Sequence, residues 1–175
     1  DRLLHTLQSR PAPTFNVELF NFYSLTRRVL NLIGEPVRSL TPAARQHLLR
    51  QLAAHTPLDT LTEGSTQPGF AVAIGKLIGE LKSDRVIPET FDAAARTHGT
   101  GKDSDIARLY AAYQETLRRN ALVDTEGEAW LALARLREVD WNPHLELFVA
   151  DGFDNFTPVQ ADLLRAIAAR AGRSV

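Results

Sequence analysis

Apolar residues recur at helical spacing through most of the chain, and the breaks between those runs mark seven predicted helices. From Val17 onward, Leu19, Phe22, Tyr23, Thr26, Val29, Leu30 and Ile33 fall on one helical face; Gly34 ends the run and Pro36 keeps it from restarting. Thr41-Pro42 reads as an N-cap followed by proline at the first helical position, opening a second helix with Leu48, Leu49, Leu52 and Ala53 along one side. Residues 56–68 are loop by composition. A third helix carries Phe70, Ile74, Leu77, Ile78 and Leu81 until Val86-Ile87-Pro88 breaks it, and a short helix follows from Glu89 to Thr97. His98 to Lys102 reads as a flexible turn before a long helix from Ser104 to Asn120, with Ile106, Leu109, Tyr110, Tyr113 and Leu117 inward. Thr125 and Glu128 fit a capping box ahead of a buried stripe of Trp130, Leu133 and Leu136.

The period changes near the end. Leu145 to Ala150 is a short apolar run bounded by polar residues, which predicts a buried strand with Asp151 at its C-terminal end. Thr157-Pro158-Val159-Gln160 is a second capping box, opening a last helix through Leu163, Leu164 and Ile167 to Gly172. The prolines in 11–16 disfavour helix, and a second strand is expected near residues 13–17. The fold class is therefore mostly α with a small α/β part.

Composition narrows the chemistry. The chain has 175 residues, 44% of them hydrophobic and 23% charged, a globular balance sufficient for a core. No stretch approaches the roughly 20 apolar residues of a bilayer span, and no signal-peptide pattern opens the chain, so no membrane association is expected. Cysteine is absent, which excludes disulfides, thiolate metal sites and cysteine nucleophiles within these residues and fits a cytoplasmic protein. Methionine is absent too and residue 1 is Asp, so the chain reads as a piece of a longer protein. A net charge of −1 argues against a strong free-standing nucleic-acid binder. The first 55 residues, however, hold seven arginines against Asp1, Glu18 and Glu35, a basic front that is either a phosphate contact or a solvated face. The five histidines have no metal-ligand spacing. Gly99-Thr100-Gly101-Lys102-Asp103 lacks the Ser/Thr, the earlier glycine and the preceding strand of a phosphate loop. Pro57-Leu58-Asp59 with Glu80-Leu81-Lys82 mimics a nuclease signature, but Glu80 and Lys82 fall on a predicted helix.

Two stretches are more specific. Leu147 to Leu164 resembles the Walker B region of superfamily 1 helicases of the UvrD/Rep type: Asp151, Phe153, Thr157 and Gln160 fit the family pattern, Gly152 stands where that family has its catalytic glutamate, and Asp154-Asn155 replace its Gln-Asp. The Asp-Gly-Phe form is similar to the AddB (RexB) family, nuclease subunits whose N-terminal half has a helicase-like fold largely stripped of helicase motifs. Asn21 to Leu30 resembles the single-stranded-DNA-touching Thr-Phe-His-Ser-Leu-Ala element of the same helicases, with Phe22, Ser24, Leu25, Arg28, Val29 and Leu30 compatible and Asn21 and Tyr23 in place of Thr and His.

The resemblance implies a core-edge segment and first helix at 1–35, a helical 1B-like insertion at 36–144, and a Walker B-like strand and helix at 145–175, attached to a P-loop NTPase-like core. It implies a degenerate nucleotide and magnesium edge at Asp151, Gly152, Asp154 and Gln160, and DNA contact by Asn21, Tyr23, Ser24, Arg27 and Arg28. Without the glutamate the piece itself is expected to be inactive, with no catalytic residue, no metal and no cofactor of its own. ATP and Mg2+ would belong to the parent, whose partners would be DNA and a helicase–nuclease subunit in double-strand break repair. The alternatives are a piece of an active superfamily 1 helicase with a divergent Walker B, and a helical protein-interaction module.

Overall fold

The computed structural model describes residues 16–35, 37–140 and 144–175. The chain divides into two compact units, Pro36–Trp130 and the remainder, with both division points in the chain close to helix ends or within a helix.

The Pro36–Trp130 unit contains β1 (Arg38–Ser39), α2 (Pro42–His55), α3 (Thr62–Ser65), α4 (Phe70–Ser83), α5 (Pro88–His98), α6 (Gly101–Arg119), β2 (Leu122–Val123) and the first part of α7 (Thr125–Glu138). Its core is built where α2, α4 and α6 meet: Leu49 and Ala53, then Ala71, Ile74 and Ile78, then Ile106, Leu109, Tyr110, Tyr113 and Leu117. Gly75 lets α2 approach α4, since a Cβ there would lie 3.1 Å from Leu49 Cδ1, and a Cβ at Gly79 would lie 3.0 Å from Glu126 Oε1. Thr41 caps α2 by accepting the Ala44 N–H, and Pro42 occupies the first turn where a missing N–H costs nothing. β1 and β2 pair in parallel, Arg38 opposite Leu122 and Ser39 opposite Val123. Parallel neighbours need a long connection, and α2 to α6 supply it.

The other unit contains α1 (Phe22–Leu32), the rest of α7 and α8 (Pro158–Ala168). Val29 and Leu30 of α1, Leu133 and Leu136 of α7, and Val159, Leu163 and Ile167 of α8 are buried. Arg170 reaches back to Leu136, its guanidinium donating to that carbonyl at 2.5 Å.

Several expectations are corrected. The run 145–150 is extended but is neither a full strand nor buried: one parallel bridge joins Phe148 to Ser174, the Ala150 N–H donates to the Val175 carbonyl at 2.9 Å, and Leu147 is 53% exposed. Apolar composition favoured burial, but among the described residues only 172–175 pair with it. α1 begins at Phe22, not Val17, because Asn21 caps it; Val17, Leu19 and Phe20 are exposed. The 56–68 loop contains α3. α6 begins at Gly101, three residues before the expected start, because Thr100 and Asp103 form a capping box there. α7 begins one residue after Asp124, whose carboxylate caps it by accepting the Gly127 N–H at 2.8 Å, and the Glu128 carboxylate accepts the Ser39 hydroxyl. Trp130 is only partly buried; Ala129 and Ala132 are buried beside Leu133 and Leu136. Of the strand expected near 13–17, residues 13–15 lie outside the described residues and 16–17 are not strand.

Candidate nucleic-acid interface

α1 and its cap carry all five residues expected to meet DNA, and the structure separates them by role. Asn21 and Ser24 serve the helix end. The Asn21 side chain accepts the Ser24 N–H at 2.8 Å, and the Ser24 hydroxyl accepts the Asn21 N–H at 3.1 Å. This reciprocal box satisfies first-turn donors that would otherwise be unpaired. Thr26 is buried and its hydroxyl donates to the Phe22 carbonyl.

Tyr23 and Arg27 lie one turn apart on α1, Tyr23 exposed and Arg27 half-buried. The Arg27 guanidinium carbon sits 4.6 Å from the Tyr23 ring centroid, and Tyr23 is 42% exposed. Such a pair joins a planar cation to a π-face, and both surfaces suit a nucleotide. Arg28 is differently placed: its guanidinium grips the Glu18 carboxylate through two bonds of 3.1 and 3.0 Å. The pair is exposed, so it contributes little stability, but it lowers the net positive charge that Arg28 presents.

The second predicted site lies in the same unit. Asp151, Gly152 and Asp154 are exposed. Gly152 has φ +79°, a left-handed turn that glycine accepts without strain, and it redirects the chain directly after the extended run. Phe153 and Phe156 stack at 4.9 Å between centroids in a tilted arrangement. Gln160 is half-buried, and its side-chain oxygen accepts the Thr157 N–H at 3.0 Å, closing the box that starts α8. Among the described residues no group of three metal-ligating side chains forms, and no helix is long and apolar enough to cross a membrane.

A buried, charged cluster lies in the Pro36–Trp130 unit, apart from both predicted sites. Lys82 and Asp124 are each 1% exposed, with Nζ and Oδ1 2.5 Å apart. Tyr113 donates its hydroxyl to Asp124 Oδ2 at 3.0 Å, and Lys82 also donates to Gln114 at 3.2 Å. Burial lowers the Lys82 pKa against the opposing pull of Asp124. For Asp124 burial acts upward, but the Lys82 charge and hydrogen bond outweigh it and the net shift is down. Arg45 lies beside this cluster, bonded to Glu126 at 3.2 Å and to the Gly75 carbonyl at 2.9 Å. A signal existed: Lys82 falls four residues after Ile78, on the apolar stripe of α4, where a lysine needs a buried partner. A further buried acid, Asp105, sits beside Ile106 on the inward side of α6.

A mostly helical chain with a short parallel pair, closed at its end by an extended segment, a helix and a returning bridge, is the class of protein these observations define. The family model described as "ADDB, N-terminal" matches residues 2–175, and the chain belongs to that family. Curated relatives are named as the B component of an ATP-dependent helicase/deoxyribonuclease. They include one from Caldanaerobacter subterraneus subsp. tengcongensis, 26% identical over 163 residues, and one from Desulforudis audaxviator, 27% identical over 170 residues. The matches cover 89% and 91% of this chain but 14% of each relative, so the chain spans about one-seventh of the length of the curated relatives it matches.

Proposed function

We propose that this chain is a non-catalytic, helicase-like part of an AddB-type subunit, acting with a partner subunit of a cytoplasmic helicase–nuclease and guiding single-stranded DNA along α1 during break processing. In this reading residues 36–144 form the helical 1B-like insertion, the 145–175 segment belongs to the edge of a P-loop-like core, and ATP and Mg2+ act elsewhere in the parent. The observation that carries the DNA role is the Arg27–Tyr23 pair, a half-buried guanidinium over an exposed aromatic ring. A guanidinium meets phosphate bidentately and the aromatic face accepts a base, which is how unpaired strands are held without sequence preference. The non-catalytic role is supported by Gly152, which has no side chain to activate water where the helicases place a carboxylate, and by Gln160, engaged in capping α8.

The test is a titration of fluorescently labelled single-stranded DNA with the full chain at low and moderate salt. Binding should weaken steeply with salt, and Arg27→Ala should weaken it about fivefold, the effect of losing one phosphate contact of about 1 kcal/mol. Absence of binding at low salt would reject the DNA role and favour an interaction module. ATP turnover that vanishes in Asp151→Ala would reject the non-catalytic reading and favour an active helicase.

A further inference from the structure

We propose that the buried Lys82–Asp124 pair is a conformational lock that sets the pairing register of β1 with β2 and the starting residue of α7. The ladder itself is too small to specify its register. It has two residues on each strand, and none of Arg38, Ser39, Leu122 and Val123 is fully buried. Leu122, and Leu40 directly after β1, are half-buried against the core, so a one-residue slip would also disturb apolar contacts, but neither strand buries the full apolar face that fixes register in larger sheets.

Asp124 follows β2 directly, so any slip moves its carboxylate by about 3.3 Å along the chain. That carboxylate is held by three donors from three places: Lys82 Nζ on α4 at 2.5 Å, the Tyr113 hydroxyl on α6 at 3.0 Å, and the Gly127 N–H in α7 at 2.8 Å. A slip would break the bonds from Lys82 and Tyr113, while the local Gly127 bond moves with the segment. It would take from the Lys82 ammonium its bonded carboxylate in a site 1% exposed, where Gln114 and the Trp130 ring, 5.6 Å from Nζ, carry no charge and Glu126, the other nearby acid, is held by Arg45. An uncompensated buried charge is among the most unfavourable arrangements in a protein interior. The alternative registers are thus excluded by charge, as a single polar residue fixes register in an otherwise apolar coiled coil. Two further bonds depend on the same register: the Leu40 N–H to the Val123 carbonyl at 2.7 Å, and Ser39 to Glu128.

The test uses the full chain carrying Lys82→Met with Asp124→Asn. This double variant removes both charges while leaving an amide to serve Tyr113 and Gly127. Amide hydrogen exchange and NMR signal multiplicity are read at Leu40 and at residues 122–124, with α6 core amides as the internal reference. The expected result is a helical, cooperatively unfolding protein in which Leu40 protection falls at least tenfold relative to α6, or in which residues 38–40 and 122–124 show more than one set of signals. A single set of signals with Leu40 protection within twofold of the unsubstituted chain would overturn the proposal. If the double variant fails to fold, Tyr113→Phe serves in its place. It removes one donor and no charge, and Leu40 protection should fall severalfold more than that of α6. Equal loss at both places would overturn the proposal.

Discussion

The carboxylate of Asp105 accepts the backbone N–H of Leu61 at 2.8 Å, and it accepts those of Thr60 and Asp59 as well. One fully buried acid on α6 therefore fastens the turn that leads into α3. Burial acts to raise its pKa, but the three backbone donors and the Arg108 guanidinium outweigh it and hold the value at about 2, below the ordinary 3.8. A depressed acid pKa stabilises the folded state at pH values above the unfolded-state pKa, and that contribution disappears as pH falls through the folded value. Denaturant unfolding of the chain should therefore show stability declining between about pH 4 and pH 2. Asp105→Asn should lose about 2 kcal/mol at pH 7 and flatten that acid limb. An unchanged limb in the variant would show that another carboxylate is responsible.

Gly127→Ala tests the space around the buried pair. Helix propensity alone would favour alanine by about 1 kcal/mol. The added Cβ, however, would lie 2.7 Å from Asp124 Oδ1 and 3.4 Å from Lys82 Nζ, and neither group can move without losing its partners. The clash should win, lowering stability by about 2 kcal/mol in denaturant melts. A stabilised variant would mean that the pair tolerates displacement.

Ala121, just beyond the end of α6, has φ +50°, a left-handed conformation that costs an L-residue about 1–2 kcal/mol. Ala121→Gly relieves that strain but adds about 0.4–1 kcal/mol of unfolded-chain entropy. The net expectation is a gain of about 0.5 kcal/mol, visible as a small rise in the thermal midpoint.

The five DNA candidates at α1 should separate experimentally. Asn21→Ala should cost about 1 kcal/mol of stability by removing the cap and should alter DNA affinity only through that loss. Arg27→Ala should weaken binding more than it lowers stability, because its guanidinium lies over the exposed Tyr23 ring. Arg28→Ala should have the smaller effect on binding, because Glu18 already offsets its charge. Equal effects of the two arginines in the salt-dependent titration would contradict the separation.

Much of the helical framework was legible in the chain. Thr41-Pro42 and Thr157-Pro158 announced α2 and α8 because a hydroxyl cap and a proline in the first turn act through neighbouring atoms alone. The start of α7 shows the limit of such reading. Thr125 and Glu128 have capping-box spacing, yet Asp124 caps the helix because its carboxylate is also wanted by Lys82 and Tyr113, residues 42 and 11 positions away. The α1 candidates were visible as residue types, but whether each side chain caps, pairs or faces outward depended on Glu18 and on the exact first residue of the helix.

What the sequence determined by itself is the set of elements whose causes are local: helix periods, most caps, the breaks at proline and glycine, and the likeness of its two motif stretches to a helicase-related family. Only the tertiary structure decided the β1–β2 pairing, the partial exposure of 145–150, and the gathering of Lys82, Tyr113 and Asp124 into one dry cluster. The reason is physical. A hydrogen bond between residues three or four apart is written in their spacing, whereas the cost of burying a charge depends on which distant groups the fold brings to meet it.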